Sequence, residues 1–240
     1  MPVISLCSPK GGCGKTTTAI LIISELITRG ATVSLVDGDR QRWATKWANL
    51  QPISDNLRIV SAAGLEDVEF HELVAAEAKQ STFVVCDLEG NVNPLITVAM
   101  MLSDLVLVPL AKAANYDLAA AVKMFNSIEM NSQKLKNPIN YLAFFNNVGA
   151  IRNRFQIQNE ADLEASGVNI MKTRLAERAA YSEYPSFGGL FRDIPQSEVP
   201  NLDKAIENID NFLDEILDNL RSEKERRAAS ERVGGNNVVA

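Results

Sequence analysis

Ser8-Pro9-Lys10-Gly11-Gly12-Cys13-Gly14-Lys15-Thr16-Thr17 lies between a β-rich apolar run, residues 3–7, and a stretch of helical composition, residues 16–29. Glycines at 11, 12 and 14 let successive backbone N–H groups close around phosphate oxygens that side chains would obstruct. A helix beginning near Lys15 aims its positive N-terminal end at the same point. Lys15 then neutralises β- and γ-phosphate charge, and the Thr16 hydroxyl is a ligand for Mg²⁺. Strand, glycine loop, Gly-Lys-Thr and helix agree, so Gly11, Gly12, Cys13, Gly14, Lys15, Thr16 and Thr17 are the nucleotide-contacting candidates, with ATP and Mg²⁺ as cofactors.

Working outward, further apolar runs fall at residues 32–36, 82–86, 105–108 and 141–145, with a weaker one at 168–171. Segments of helical pattern, such as 42–50 and 117–128, separate them. Near-continuous apolar strands alternating with helices predict an α/β domain, its mostly parallel central sheet covered by helices on both faces. No repeat or linker divides the chain, so one domain is expected over residues 1–220. Its last helix carries Leu202, Ile206, Ile209, Leu213, Ile216 and Leu220 on one face, either packed on the domain or forming a dimer contact. Beyond it, residues 221–240 read as a fraying polar helix and then a disordered tail.

Composition narrows the function classes. The chain has 24 Lys+Arg against 30 Asp+Glu, a net charge of −6, which argues against a surface that coats nucleic acid all over. Three cysteines without CxxC spacing (Cys7, Cys13, Cys86) fit a reducing cytoplasm and buried thiols, and the N-terminus does not read as a signal peptide. The lone His71 lies in a polar stretch, which removes a histidine triad or zinc site from consideration. Trp43 and Trp47, four apart, are expected to share a helix face, in core packing or in base stacking.

Pro9 stands where the common phosphate loop has its first glycine, and Lys10-Gly11-Gly12 follows. This KGGxGKT form resembles the deviant loop of the ParA/MinD family of P-loop NTPases. The resemblance continues in VSLVDGDRQ (33–41), in Ala44 and Trp47-Ala48, in the Walker-B-like FVVCD (83–87) and in 105–109, covering roughly residues 1–150. It implies an ATP hydrolase of weak, partner- and DNA-stimulated turnover, in which two subunits sandwich two ATP molecules as a homodimer. By the same resemblance Lys10 reaches the partner's nucleotide, Asp39 orients the attacking water, and Asp37 lies near the metal. Asp87 holds Mg²⁺ through a water, and Asn146, with Asn147 as competitor, contacts adenine.

The family's branches differ, and the residues after the loop bear on which one this is. The tail has no leucine or aromatic face to insert into a membrane, cysteines suited to an iron–sulfur cluster are missing, and there is no tyrosine-rich tail. The DNA-linked branch remains, without a helix-turn-helix ahead of the loop. Arg221, Lys224, Arg226 and Arg227 are candidate DNA contacts, or simply a solvated helix end; Arg152, Arg154, Lys172, Arg174 and Arg178 are additional ones. The resemblance thus implies a cytoplasmic, nucleoid-associated switch that binds non-specific DNA and partitions plasmid or other cargo with a ParB-like centromere-binding partner. The turn Leu88-Glu89-Gly90 after Asp87 instead resembles the ParA-like branch of T-DNA transfer. That implies the alternative, an accessory of conjugative DNA processing with a relaxosome partner.

Overall fold

In a computed structural model of the chain, residues 1–90, 94–111 and 115–235 are described, with backbone alone at 115–120 and 231–235. Six strands form one sheet: β1 (Val3–Leu6), β2 (Val33–Gly38), β3 (Leu57–Ser61), β4 (Phe83–Leu88), β5 (Leu105–Ala111) and β6 (Tyr141–Asn146). Their order is β3-β2-β4-β1-β5-β6, and every pairing is parallel. Period-two alternation divides the strand side chains between two cores. Ile4, Leu6 and Val85 point to one face, where α1 (Lys15–Thr28), α7 (Ala179–Phe187) and α8 (Leu202–Gly235) pack; Phe144 meets Phe212 edge-on at 4.9 Å. Val3, Cys7, Val84 and Cys86 point to the other, under α3 (Asp67–Glu77), α4 (Pro94–Leu102) and α5 (Asn115–Leu135). Both thiols on this face are buried, and His71 is exposed.

Strand order places the phosphate loop. The chain leaves β1 for the β2–β3 side, returns through β4, and then builds β5 and β6 on the far side of β1. The C-terminal end of β1 is therefore the point where the order reverses, which in open parallel sheets opens a crevice for ligands.

Two strand expectations change. Residues 57–61 are not among the apolar runs, yet they form β3, an edge strand whose side chains are only partly covered. An edge position needs no continuous apolar run, and Arg58 is retained there by pairing with Glu77 on α3 at 3.1 Å. Residues 168–171 do not form a strand: a single bridge joins Ile170 to Ala143. The chain then turns away to be held at the Lys172 and Thr173 N–H groups by Glu215 of α8.

Helix α8 extends 34 residues, past the boundary expected at 220. Leu202, Ile209, Leu213 and Ile216 are buried against the sheet, which favours packing on the domain over a dimer contact at those positions. Beyond Leu220, Glu223 binds both Arg226 and Arg227 at helical spacing, and Arg227 also reaches Asp104 at 3.5 Å. These pairs anchor a polar turn that hydrophobic patterning alone leaves unsupported. The end of the expected tail, 236–240, lies outside the described residues. Among the described residues, no helix is long and apolar enough to cross a membrane.

Candidate nucleotide-binding site

The loop after β1 takes its shape from two glycines with positive φ, Gly12 at 74° and Gly14 at 90°. Gly14 is the N-cap of α1 and offers no side-chain cap, and the first turn contains no acidic residue. The first N–H groups of α1 therefore remain available to an anion. Lys15 is buried, and its Nζ donates to the Lys10 carbonyl at 3.2 Å; the Cys13 thiol donates to the same oxygen at 3.3 Å. Asn146, at the end of β6, clasps the loop by donating Nδ2–H to the Cys13 carbonyl at 2.8 Å, while its Oδ1 accepts from the Asn147 N–H. The amide expected at adenine is thus engaged in bracing the loop. A Cβ on Gly14 would stand 2.0 Å from Asn146 Nδ2 and displace that amide from the loop, in addition to the strain of a side chain at φ 90°.

The three aspartates have different surroundings. Asp37 is buried and already engaged: Oδ2 accepts from the Thr45 N–H at 3.0 Å and the Thr45 hydroxyl at 2.5 Å, and Oδ1 from the Asp39 N–H at 3.2 Å. It fastens α2 (Trp43–Ala48) to β2. Asp39 is half-buried, with Oδ1 accepting from the Gln41 N–H at 2.7 Å. Asp87, in register with Asp37 on the adjacent strand, is fully buried with no hydrogen-bond partner on either carboxylate oxygen. Burial pushes its carboxyl up to about 7; the Thr16 hydroxyl and Lys15 ammonium, which favour the anion without a formed hydrogen bond, offset this only in part.

A buried, unpartnered carboxylate beside a hydroxyl and a lysine fits a hydrated hard cation. Among the described residues no cluster of three or more His, Cys, Asp or Glu could hold a metal, so protein ligands alone build no cage. Mg²⁺ is commonly bound in this way, by one or two side chains, waters and phosphate oxygens. Thr16 and Asp87 suit that role; Asp37, the other expected ligand, already accepts two hydrogen bonds on Oδ2 and one on Oδ1.

A cavity of about 880 Å³ gathers Gly11, Gly12, Gly14, Lys15, Thr16, Thr17 and Asp39 with Trp43, Trp47, Gly90 and Pro185. Exposed Lys10 lies instead on a second cavity of about 420 Å³ across the loop, with Gly12, Cys13, Gly14, Thr17, Asn146, Asn147 and Arg178. The tryptophans part company. Trp47 is buried edge-on to Tyr184 at 5.6 Å, but Trp43, at the start of a six-residue helix, is 57% exposed under the Lys46 ammonium. Glu89 pairs loosely with Arg40 at 3.6 Å across the ends of β4 and β2.

Apart from Arg178, the candidate DNA contacts do not line these two cavities. Arg221 pairs with Asp218, and Arg226 and Arg227 with Glu223; Arg227 and Lys224 border a groove with Met1, Pro2 and Asp104, at the N-terminal ends of the strands. Arg152 and Arg174 both bind Glu160. The close packing of Gly90 on the loop and the position of Arg178 over the second cavity have no local sequence signal, because both arise from segments distant in the chain.

Comparison with known proteins agrees with this geometry. The family model described as VirC1 protein matches residues 1–220. Protein ParA of Rhizobium radiobacter is 31% identical over 225 residues, 92% of this chain and 98% of that protein. Apo McdA of Cyanothece superposes with a TM-score of 0.70 at 16% identity, over 89% of this chain and 99% of that one, and a variant of that protein is known as an ATP complex. A plasmid partition protein from Borrelia burgdorferi superposes with a TM-score of 0.60 at 17% identity, over 89% of this chain and 98% of that one.

Proposed function

Because this chain belongs to the VirC1 protein family of ParA/MinD-type P-loop ATPases, we propose that it is an ATP-driven dimerising switch that binds DNA non-specifically and positions plasmid or other DNA cargo. The observation carrying the nucleotide half of this reading is the buried, unpartnered Asp87 beside an uncapped α1 N-terminus and buried Lys15. Such a constellation is costly unless an anion and a cation complete it.

Each residue then has a task. The loop N–H groups and Lys15 bind and orient the phosphates. Thr16 and Asp87 would hold Mg²⁺, which supplies charge neutralisation across the phosphate oxygens when bound. Asp39, with one oxygen anchored by the Gln41 N–H, orients the attacking water through the other. Exposed Lys10 serves the nucleotide of a second copy, where it stabilises charge on the transferred group. The relative named ParA supports a partition role, in which the partner is a ParB-like centromere-binding protein. A second reading, an accessory of conjugative or T-DNA-like processing, is favoured by the Leu88-Glu89-Gly90 turn and the VirC1 match.

Light scattering with ATP and Mg²⁺ tests the switch. Asp39→Ala should bind ATP, turn over slowly and accumulate as dimer, whereas Lys10→Ala in that background should bind ATP and remain monomeric. Dimerisation of the double variant would remove the cross-interface role of Lys10. ATPase assays with DNA and with either partner class then separate partition from DNA processing.

A further inference from the structure

The larger cavity extends beyond the phosphate loop to Trp43, Lys46, Asn49 and Leu50, none of which the nucleotide reading uses. These four and Arg42 are exposed, whereas Ala44, Thr45 and Trp47 are buried. Spacings of three and four put the exposed set on one face of the α2 turn, directed away from the core. Trp43 is 57% exposed with the Lys46 ammonium 4.2 Å from its ring centroid. A cation thus covers one side of an indole whose remaining surface stays in water.

The charge along this segment is unlike that of the chain as a whole. Residues 40–54 contain Arg40, Arg42 and Lys46 and no Asp or Glu, in a chain of net charge −6. Arg40 meets Glu89 at 3.6 Å, the Lys46 ammonium lies on the indole, and Arg42 forms no ion pair among the described residues. On α8, by contrast, Arg221, Arg226 and Arg227 are each matched by a carboxylate of their own helix. Arg42 takes a left-handed backbone, φ 52°, its N–H donating to the Asp39 carbonyl at 2.9 Å and its carbonyl accepting from the Lys46 N–H at 2.9 Å. That turn fastens the basic and aromatic face directly to the loop carrying Asp39.

An open indole beside guanidinium and ammonium groups matches a chain of phosphates whose base faces are free. In a single strand the bases can stack on an aromatic side chain while cations follow the backbone; in a duplex those faces are taken by neighbouring bases. We propose that Trp43 is a stacking platform for a base of single-stranded DNA, with Arg42 and Lys46 meeting the adjacent phosphates; this rests on the DNA-binding reading above and names the form of DNA that this face takes. The larger cavity then receives nucleotide phosphates at the glycine loop and a DNA strand at its α2 rim, the two joined through residues 39–42.

Fluorescence anisotropy of a labelled dT oligonucleotide of about 16 nucleotides, titrated with the full chain in ATP and Mg²⁺ at several salt concentrations, tests the platform. Trp43→Ala should weaken oligonucleotide binding about 5–100-fold at every salt concentration, the effect of one lost base stack, and leave ATP affinity unchanged. Trp43→Phe retains an aromatic face and should recover most of that loss. Arg42→Asn, a residue that tolerates the left-handed backbone, should flatten the dependence of log K on log salt by about 0.7, a change that the Trp43 variants should not make. Unchanged oligonucleotide affinity in Trp43→Ala, a matching loss of ATP affinity, or an equal loss on a blunt duplex would overturn the proposal. Binding of duplex but not of dT by the unmodified chain would overturn it and leave the DNA-binding reading in place; binding of neither would overturn that reading as well.

Discussion

Gly90 approaches Lys15 so closely that a Cβ there would stand 2.6 Å from the lysine Nζ and 2.6 Å from the Lys10 carbonyl oxygen. The end of β4 is thereby seated on the phosphate loop, and the loop lysine is held between its own backbone and the Asp87 strand. Gly90→Ala must displace backbone, at a cost of about 1–3 kcal/mol typical of overpacking. The expected outcome is an ATP affinity reduced about tenfold or more and a melting temperature lowered by about 2–12 °C. Calorimetric titration beside a thermal melt checks both halves.

Asn146→Ala removes the bond that holds the Cys13 carbonyl, worth about 1 kcal/mol. Hydrogen exchange of the loop amides should accelerate, and ATP affinity should fall several-fold. Asn147→Ala leaves the clasp intact, so its loop amides should keep their protection. Equal protection in both variants would separate Asn146 from loop ordering.

Glu77 links α3 to β2 and β3. Burial pushes its carboxyl pKa up, but hydrogen bonds from Arg58 at 3.1 Å and the Ser34 hydroxyl at 2.6 Å outweigh this and hold it below the ordinary value of 4.5. A depressed native pKa means that the stabilisation is fully present above pH 4.5 and is lost as pH falls through the lower native value. Glu77→Gln should therefore cost about 1–2 kcal/mol at pH 7, discounted for the half-exposed Arg58, and progressively less below about pH 4. Urea titrations at several pH values give the comparison.

Arg221, Arg226 and Arg227 of α8 are balanced by Asp218, Glu223 and Asp104, yet exposed pairs of this kind yield to a stronger anion at little cost. If they bind DNA phosphates, Arg226→Glu with Arg227→Glu should flatten the dependence of log K on log salt by about 0.9 for each phosphate no longer neutralised. DNA binding of the unmodified chain should require ATP, because a dimer doubles the number of phosphates engaged. An unchanged slope in the variant places the DNA face elsewhere, with Arg154 next to test, since Arg152 is held by Glu160.

The sequence determined the loop and the buried strands, because each is written locally. Glycines at fixed offsets before Gly14-Lys15-Thr16 act through their own backbone, and strands buried on both faces need uninterrupted apolar residues such as those of β1, β4 and β5. Tertiary structure decided what depends on neighbours. β3 is an edge strand stabilised by Glu77 from another element, so its own residues carry little apolar signal. α8 continues beyond Leu220 through ion pairs, one of them to Asp104, rather than through an apolar face. Asp37 and Asp87 read alike as aspartates at strand ends; the arrival of Thr45 at Asp37, and of no donor at Asp87, gives them different surroundings. Hydrophobic periodicity records what a residue buries, while the partner of a polar group is fixed by which distant segment the fold brings beside it.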